Sequence, residues 1–264
     1  SLMQWLGGMG IIVLSVAILP MFGLGGMQLY SAEVTGVSYE KLSPRIADTA
    51  KYMWLTYIVL TITQIALLTL EGMPLFDSIC HSLSTISTGG FSTRNDSLIS
   101  YNAAIQWTTA IFMFLSGINF TQLIYLFRGK PQRLFKDEET QWYACAVGVA
   151  TLFLSLGLFI HYGIEHDISK IVEMENFFAT VERSLRKGFF MVCTAMTSTG
   201  FAASDYMTWP KLLWVFVFFL MFTGASSGST AGGIKWVRIG IFAKSALTEI
   251  KRRIHPNAVI PVRF

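Results

Sequence analysis

Two short polar stretches carry the residues of this sequence whose types and spacing suit chemistry. One is Ser87-Thr88-Gly89-Gly90-Phe91, followed by Arg94-Asn95-Asp96; the other is Thr197-Ser198-Thr199-Gly200-Phe201, followed by Ser204-Asp205. Matching Gly90 to Gly200 sets them 110 residues apart. Carbonyl and hydroxyl groups are neutral oxygen ligands, and loop carbonyls can replace the water shell of a monovalent cation. Glycine permits the unusual backbone angles that a loop with inward carbonyls demands. Neither stretch contains a carboxylate, which argues against a site for divalent cations. Gly89 leaves a shifted register open in the first stretch, and the shared Gly-Phe favours Gly90.

Other chemistries find little support. Cys80, Cys145 and Cys193 are widely spaced without a CxxC, so they read as small buried apolar residues and not as a disulfide framework. His81, His161, His166 and His255 show no metal-ligand spacing. Without a nucleophile–base or metal set, an enzyme and an organic cofactor are not expected.

The elements that must position the two stretches are hydrophobic helices. The chain is 53% hydrophobic and 14% charged, with a mean hydropathy of +0.52, whereas soluble domains are about one quarter charged. Segments 1–32, 52–70, 97–127, 140–164 and 212–234 contain no charge, and a bilayer is crossed by about 20 apolar residues. Five spans are therefore predicted. The first lacks a basic start and is too long for a signal peptide. A chain that begins at Ser1 and not Met reads as a fragment or a cleaved product.

Residues 74–85 and 188–197 are apolar but only half a span long, as re-entrant segments are. Each leads directly into one of the polar stretches and then into a full span. The unit of span, re-entrant helix, polar loop and span is thus written twice, which implies pseudosymmetry about a shared pathway. Non-helical backbone at membrane depth requires burial in protein or a water-filled cavity. A helix entering from the outer face would direct its partly negative C-terminal end at the pathway, favouring a cation.

Charge orients the chain. Fourteen basic residues fall in the loops after the first and third spans and in the tail after the fifth; six fall on the other side. The positive-inside rule places the richer side in the cytoplasm. The tail cluster suits anionic lipid heads better than nucleic acid. Trp5, Trp54, Trp107, Trp142 and Trp209 lie near span ends, where an aromatic belt forms.

The fifth span is interrupted by Thr223, Gly224, Ala225, Ser226, Ser227, Gly228, Ser229, Thr230, Ala231, Gly232 and Gly233. Its glycines each weaken a helix by roughly 1 kcal/mol, so it should unwind or bend. Gly224-xxx-Gly228 can also be read as a helix-packing motif. A phosphate loop is disfavoured, because no Ser or Thr follows Lys235 and no strand precedes. Lys235 and Arg238 read as snorkelling anchors. Asn119 either faces a cavity or bonds to a neighbouring helix.

The paired loops together with FTGASSGSTAGGIKWVRI at 222–239 resemble the Trk/Ktr superfamily of potassium transporters, nearest to its TrkH-type membrane subunits. QWLGGMGIIVL at 4–14 and HPNAV at 255–259 resemble further stretches of the same subunits. The resemblance implies an all-α, K⁺-channel-like membrane protein of repeated span, re-entrant pore helix, filter loop and span units, with one broken helix. It implies potassium uptake, with K⁺ held at Thr88, Gly89, Gly90 and Phe91 in one filter loop and Ser198, Thr199, Gly200 and Phe201 in the next. Residues 223–233 would form the gate. The family has four such repeats, of which this chain would supply the second and third. On that division, residues 1–40 end a preceding repeat, 41–136 and 137–242 are the two repeats, and 243–264 is a cytoplasmic connector. The resemblance further implies a bacterial inner-membrane location, a homodimer and a cytosolic nucleotide-binding regulatory subunit. A weakly selective K⁺/Na⁺ pore and a non-conducting membrane scaffold are the rival expectations.

Overall fold

A computed structural model describes residues 1–10, 46–127, 129, 131–165 and 174–254 of the chain. The described residues are helical and contain no strand, apart from one isolated bridge between Thr223 and Ile234. The helices are α1 (Leu2–Gly8), α2 (Ile46–Leu70), α3 (Leu75–Ile86), α4 (Ala103–Ser116), α5 (Phe120–Phe127), α6 (Pro131–Lys136), α7 (Glu138–Glu165), α8 (Met174–Met196), α9 (Lys211–Leu220) and α10 (Trp236–Ile254).

Two of them, over Ala50–Leu70 and Glu138–Tyr162, are long and apolar enough to cross a membrane. Both are apolar all round, the pattern of a helix between protein and lipid. On α2, Tyr57, Leu60 and Leu68 are buried while Leu55, Ile62 and Leu70 are exposed; on α7, Tyr143, Leu154 and Leu158 are buried while Val149, Leu152 and Leu156 are exposed. The expected span over 97–127 is instead a bent pair, α4 and α5, meeting at 111°. The described residues therefore contain two helix breaks where the sequence predicts one. Glycine at 117 lets the bend pack closely, since a Cβ there would overlap the Tyr143 hydroxyl.

The first re-entrant helix is close to its expected limits. Pro74 precedes α3, and its carbonyl accepts from the Ser78 amide at 2.8 Å. The second is far longer than expected. α8 begins at Met174, and its stretch before Gly188 carries Glu175, Glu182, Arg183, Arg186 and Lys187, whose charges hide it from an apolar scan. α8 packs along α7 and against α4 and α9; α3 packs against α1, α2 and α4. Gly188 sits against Ser155 and Gly157 against Leu213, allowing close helix approach. Trp54 and Trp209 are buried within the protein, contrary to a belt, whereas Trp142 is exposed. Of the cysteines only Cys193 is buried; Cys80 is half-buried and Cys145 exposed. His166, His255 and most of the predicted first span lie outside the described residues.

Candidate functional site

The re-entrant helices α3 and α8 end in two loops with the same internal bonding. The Gly89 amide donates to the Ser84 carbonyl at 2.7 Å, and the Thr199 amide donates to the Thr194 carbonyl at 3.0 Å. One residue earlier, the Thr88 amide donates to Thr85 and the Ser198 amide to Ala195. The Ser87 hydroxyl donates to the Leu83 carbonyl, and the Thr197 hydroxyl to the Cys193 carbonyl. Each partner lies 110 residues from its counterpart, so the offset read from Gly90 and Gly200 holds at every one of these bonds.

The backbone repeats as well. Thr88 and Ser198 are left-handed, with φ of 52° and 57°, and Gly90 and Gly200 follow at 68° and 89°. Alternating left-handed residues turn successive peptide groups, at a cost of roughly 1–2 kcal/mol for each non-glycine. A side-chain oxygen holds each turn. Ser84 Oγ accepts from the Phe91 amide at 2.7 Å, and Thr194 Oγ1 accepts from the Gly200 amide at 3.0 Å. The loop amides named so far are thus bonded back into their own helices. Among the described residues, no hydrogen bond ends on the carbonyls of Thr88, Gly89, Gly90, Ser198, Thr199 or Gly200. Thr88 and Thr199 are buried, and buried backbone carbonyls ordinarily find a partner; Gly89 and Gly90 are half-buried and Ser198 and Gly200 exposed, so the set is free to accept from outside the protein.

The two loops touch. A Cβ on Gly90 would overlap the Thr199 carbonyl oxygen and lie 2.8 Å from its carbon. Just beyond, the Leu98 amide donates to the Ala202 carbonyl at 2.9 Å, and the Ala202 amide donates to Ser97 Oγ at 3.1 Å. Ser97 adopts φ of 56° to make that exchange. α1 closes the other flank of the first loop, where Gln4 lies against Gly89. It is held to α2 by Trp5 Nε1 donating to Thr61 Oγ1 at 3.0 Å and by Tyr57 donating to the Trp5 carbonyl at 2.9 Å.

Buried His81 supports the first loop from behind. Its Nδ1 lies 2.7 Å from the Asp77 carbonyl, which can only accept, so Nδ1 carries the proton; Nε2 then accepts from Ser92 Oγ at 2.9 Å. Its ring packs 5.7 Å from that of Phe201. The Asp77 carboxylate accepts from Thr93 at 2.7 Å and Tyr101 at 2.9 Å, and the Thr93 hydroxyl holds it below the usual carboxylate range. The two phenylalanines differ: Phe201 is buried, and Phe91 is exposed in this chain.

The segment 223–233 lies against both loops. The Thr88 hydroxyl donates to the Thr230 carbonyl at 2.9 Å, and the Thr230 hydroxyl donates to the Ile86 carbonyl at 2.9 Å. Gly232 faces Ser198, with its Cβ direction 3.3 Å from the hydroxyl. The segment closes on itself through the Gly224 amide on the Ile234 carbonyl and the Ile234 amide on the Phe222 carbonyl. It also completes the bend in α4–α5. The Ser226 amide donates to the Gly117 carbonyl at 3.0 Å, and the Phe120 amide donates to the Gly228 carbonyl at 3.1 Å. Asn119 caps α5 by accepting from the Thr121 amide at 2.8 Å and packs on Gly228. Lys235, predicted as an exposed anchor, donates within the segment to the Ala231 carbonyl.

The sequence reading had singled out both loops and this segment, and the structure brings all three together. The sequence alone assigns no role to Gln4, Thr194, Ser97 or Glu139. Ser84 and Thr194 were findable, because they are hydroxyl residues at the same 110-residue offset. Among the described residues no group of His, Cys, Asp and Glu is arranged to hold a metal ion.

Comparison with known proteins gives one consistent family. A family model described as "TrkH: Cation transport protein" matches residues 1–264. The chain is 38% identical to the Trk system potassium uptake protein TrkH of Salmonella typhimurium, over all of this chain and 52% of that protein. It is 36% identical to the Trk system potassium uptake protein TrkG of Escherichia coli, over 99% of this chain and 52% of that protein. Among solved structures, the crystal structure of the potassium transporter TrkH from Vibrio parahaemolyticus superposes with a TM-score of 0.75 and 34% identity, covering 99% of this chain and 51% of the other. The chain thus spans about half the length of the relatives it matches.

Proposed function

The chain belongs to the TrkH family of cation transport proteins, and from that premise we propose that it forms part of a membrane pore for potassium uptake. Loops 88–91 and 198–201 are its share of a carbonyl filter, and segment 223–233 is the gate across the path. The observation that carries this reading is the pair of loops whose amides are tied back by Ser84 and Thr194 while six adjoining carbonyls accept no bond among the described residues. Carbonyls held that way exchange for the water shell of a cation without moving. The potassium in the names of the matched relatives supports K⁺ as the ion.

The gate reading rests on contact. Thr230 and Gly232 meet Thr88 and Ser198 of the two loops, so an ion leaving the filter would meet this segment next. The repeat boundaries follow the loops: 41–136 and 137–242 each contain one re-entrant helix and one filter loop. By charge, the end carrying Lys136, Lys235 and Lys244 lies in the cytoplasm, where a nucleotide-binding regulatory subunit would dock; a homodimer in a bacterial inner membrane completes the proposal.

The test uses the full-length subunit reconstituted in liposomes. Rubidium uptake that exceeds sodium uptake is expected. Equal fluxes would replace the reading with a weakly selective pore, and no cation flux would replace it with a scaffold.

A further inference from the structure

Three consecutive acids start α7, and each does something different. Asp137 caps its own helix, accepting from the Thr140 amide at 2.9 Å and hydroxyl at 2.6 Å. Glu138 is exposed and pairs with Lys244 of α10 at 2.6 Å. Glu139 turns inward and is buried. Its Oε1 accepts from the Ser227 amide at 2.5 Å and from the Val237 amide at 3.2 Å; its Oε2 accepts from the Ser227 hydroxyl at 2.6 Å. One carboxylate therefore binds the middle of segment 223–233 and, at the same time, the first turn of α10, which follows it.

Both halves of that contact favour a negative charge. The first turn of a helix presents unpaired amides and a partial positive charge. Bonds from amide or hydroxyl donors to an ionised carboxylate are shorter and stronger than neutral ones. The segment itself is glycine-rich, and its bonds to the first loop and to the bend are neutral: Thr88 to Thr230 and Ser226 to Gly117. Two of the three bonds on this helical residue hold Ser227 of the segment by both its amide and its hydroxyl, and the third holds Val237. Together they join the segment to α10, so a displacement of α10 relative to α7 strains the Val237 bond and the Lys244 pair together.

We propose that Glu139 is the positioning residue that latches segment 223–233 in its closed place and couples its release to movement of α10. This rests on the gate reading above. Glu139 touches no permeating ion; it acts by holding Ser227.

The experiment measures rubidium flux through the full-length subunit in liposomes, with sodium flux in parallel and thermal unfolding of each variant. Glu139→Ala should raise flux about tenfold, the shift expected when a closed state loses the equivalent of one charge-assisted bond. Glu139→Gln keeps the shape and Oε1 and should raise it less. Ser227→Ala should raise it by a smaller factor, and combining it with Glu139→Ala should add nothing. The rubidium-to-sodium ratio should stay native throughout, since the filter is untouched. A purely structural role would instead lower flux together with the unfolding temperature. Deleting 226–232 is the separating control. If that deletion raises flux while folded Glu139→Gln and Ser227→Ala stay at the native level, the latch is refuted and the gate stands. If the deletion leaves flux unchanged, the gate reading fails and takes the latch with it. Should the Glu139 variants not assemble, Ser227→Ala decides alone, and native flux in it overturns the proposal.

Discussion

Gly90 and Gly200 hold equivalent places in the repeat, yet replacing each by alanine should have unequal consequences. Both are left-handed, with φ of 68° and 89°, so alanine at either strains the backbone by roughly 1–2 kcal/mol. At Gly200 nothing in this chain lies within 4 Å of the new Cβ, and the strain is the whole cost. At Gly90 the Cβ overlaps the Thr199 carbonyl oxygen and stands 2.8 Å from its carbon and 3.1 Å from the Gly200 carbonyl carbon. Those are backbone atoms, and a backbone cannot rotate away as a flexible side chain does. The second loop is pinned by the Thr199 amide on the Thr194 carbonyl, by the Gly200 amide on Thr194 Oγ1, and by the 2.6 Å contact between Thr197 and Thr199 hydroxyls. Relieving the overlap breaks at least one such bond, adding about 1–3 kcal/mol. Gly90→Ala should therefore be the more destabilised by a few degrees in thermal unfolding. It should also lose preference for rubidium over sodium in liposome flux, because the displaced atom is itself a carbonyl of the proposed filter. A folded Gly90→Ala variant with native ion preference would refute the reasoning. So would a Gly200→Ala variant more damaged than Gly90→Ala.

Thr88→Val keeps the β-branch, so its backbone strain at φ of 52° is unchanged while the bond to the Thr230 carbonyl is lost; rubidium flux should rise a few-fold, for about 1 kcal/mol of lost closure. Thr230→Val removes the reciprocal bond to Ile86, and the double variant should fall short of the product of the two single effects. Thr194→Val leaves the Gly200 amide without its acceptor, at a cost of roughly 1–3 kcal/mol, and Ser84→Ala does the same to the Phe91 amide. Both should reduce ion preference more than total flux, measured as the rubidium-to-sodium ratio.

The loops were legible because their chemistry is local. A filter loop needs glycine and hydroxyl residues at fixed steps after a helix, and that pattern survives in the sequence with its 110-residue spacing. The spans were legible from missing charge. What escaped was set by contacts distant in sequence. The bend between Ser116 and Phe120 contains no proline, and its lone glycine looks ordinary until Tyr143 and Ala225 are brought against it. The part of α8 before Gly188 was hidden because its charges, Arg186 and Lys187 among them, make it look like a loop; in the fold Arg186 pairs with Glu182 at 2.9 Å and Lys187 reaches the Tyr162 hydroxyl at 3.0 Å. Glu139 escaped because one acid among three gives no sign of which one turns inward.

The second helix break changes how the first must work. Unwinding a helix inside a membrane releases amides and carbonyls that lipid cannot satisfy. Here the groups freed at 117–120 and those freed in 223–233 bond to one another, through Ser226 to Gly117 and Phe120 to Gly228. Neither break is satisfied alone. If segment 223–233 swings aside, the Gly117 carbonyl and the Phe120 amide lose their partners unless water enters or α5 turns with it. On the proposed gate reading, opening therefore requires either water at that depth or a turn of α5 along with the segment. Residue 119 lies at the joint. Asn119 accepts from the Thr121 amide while its side chain lies against Gly228, so it keeps α5 capped when the segment leaves, and only the two backbone bonds must be exchanged for water.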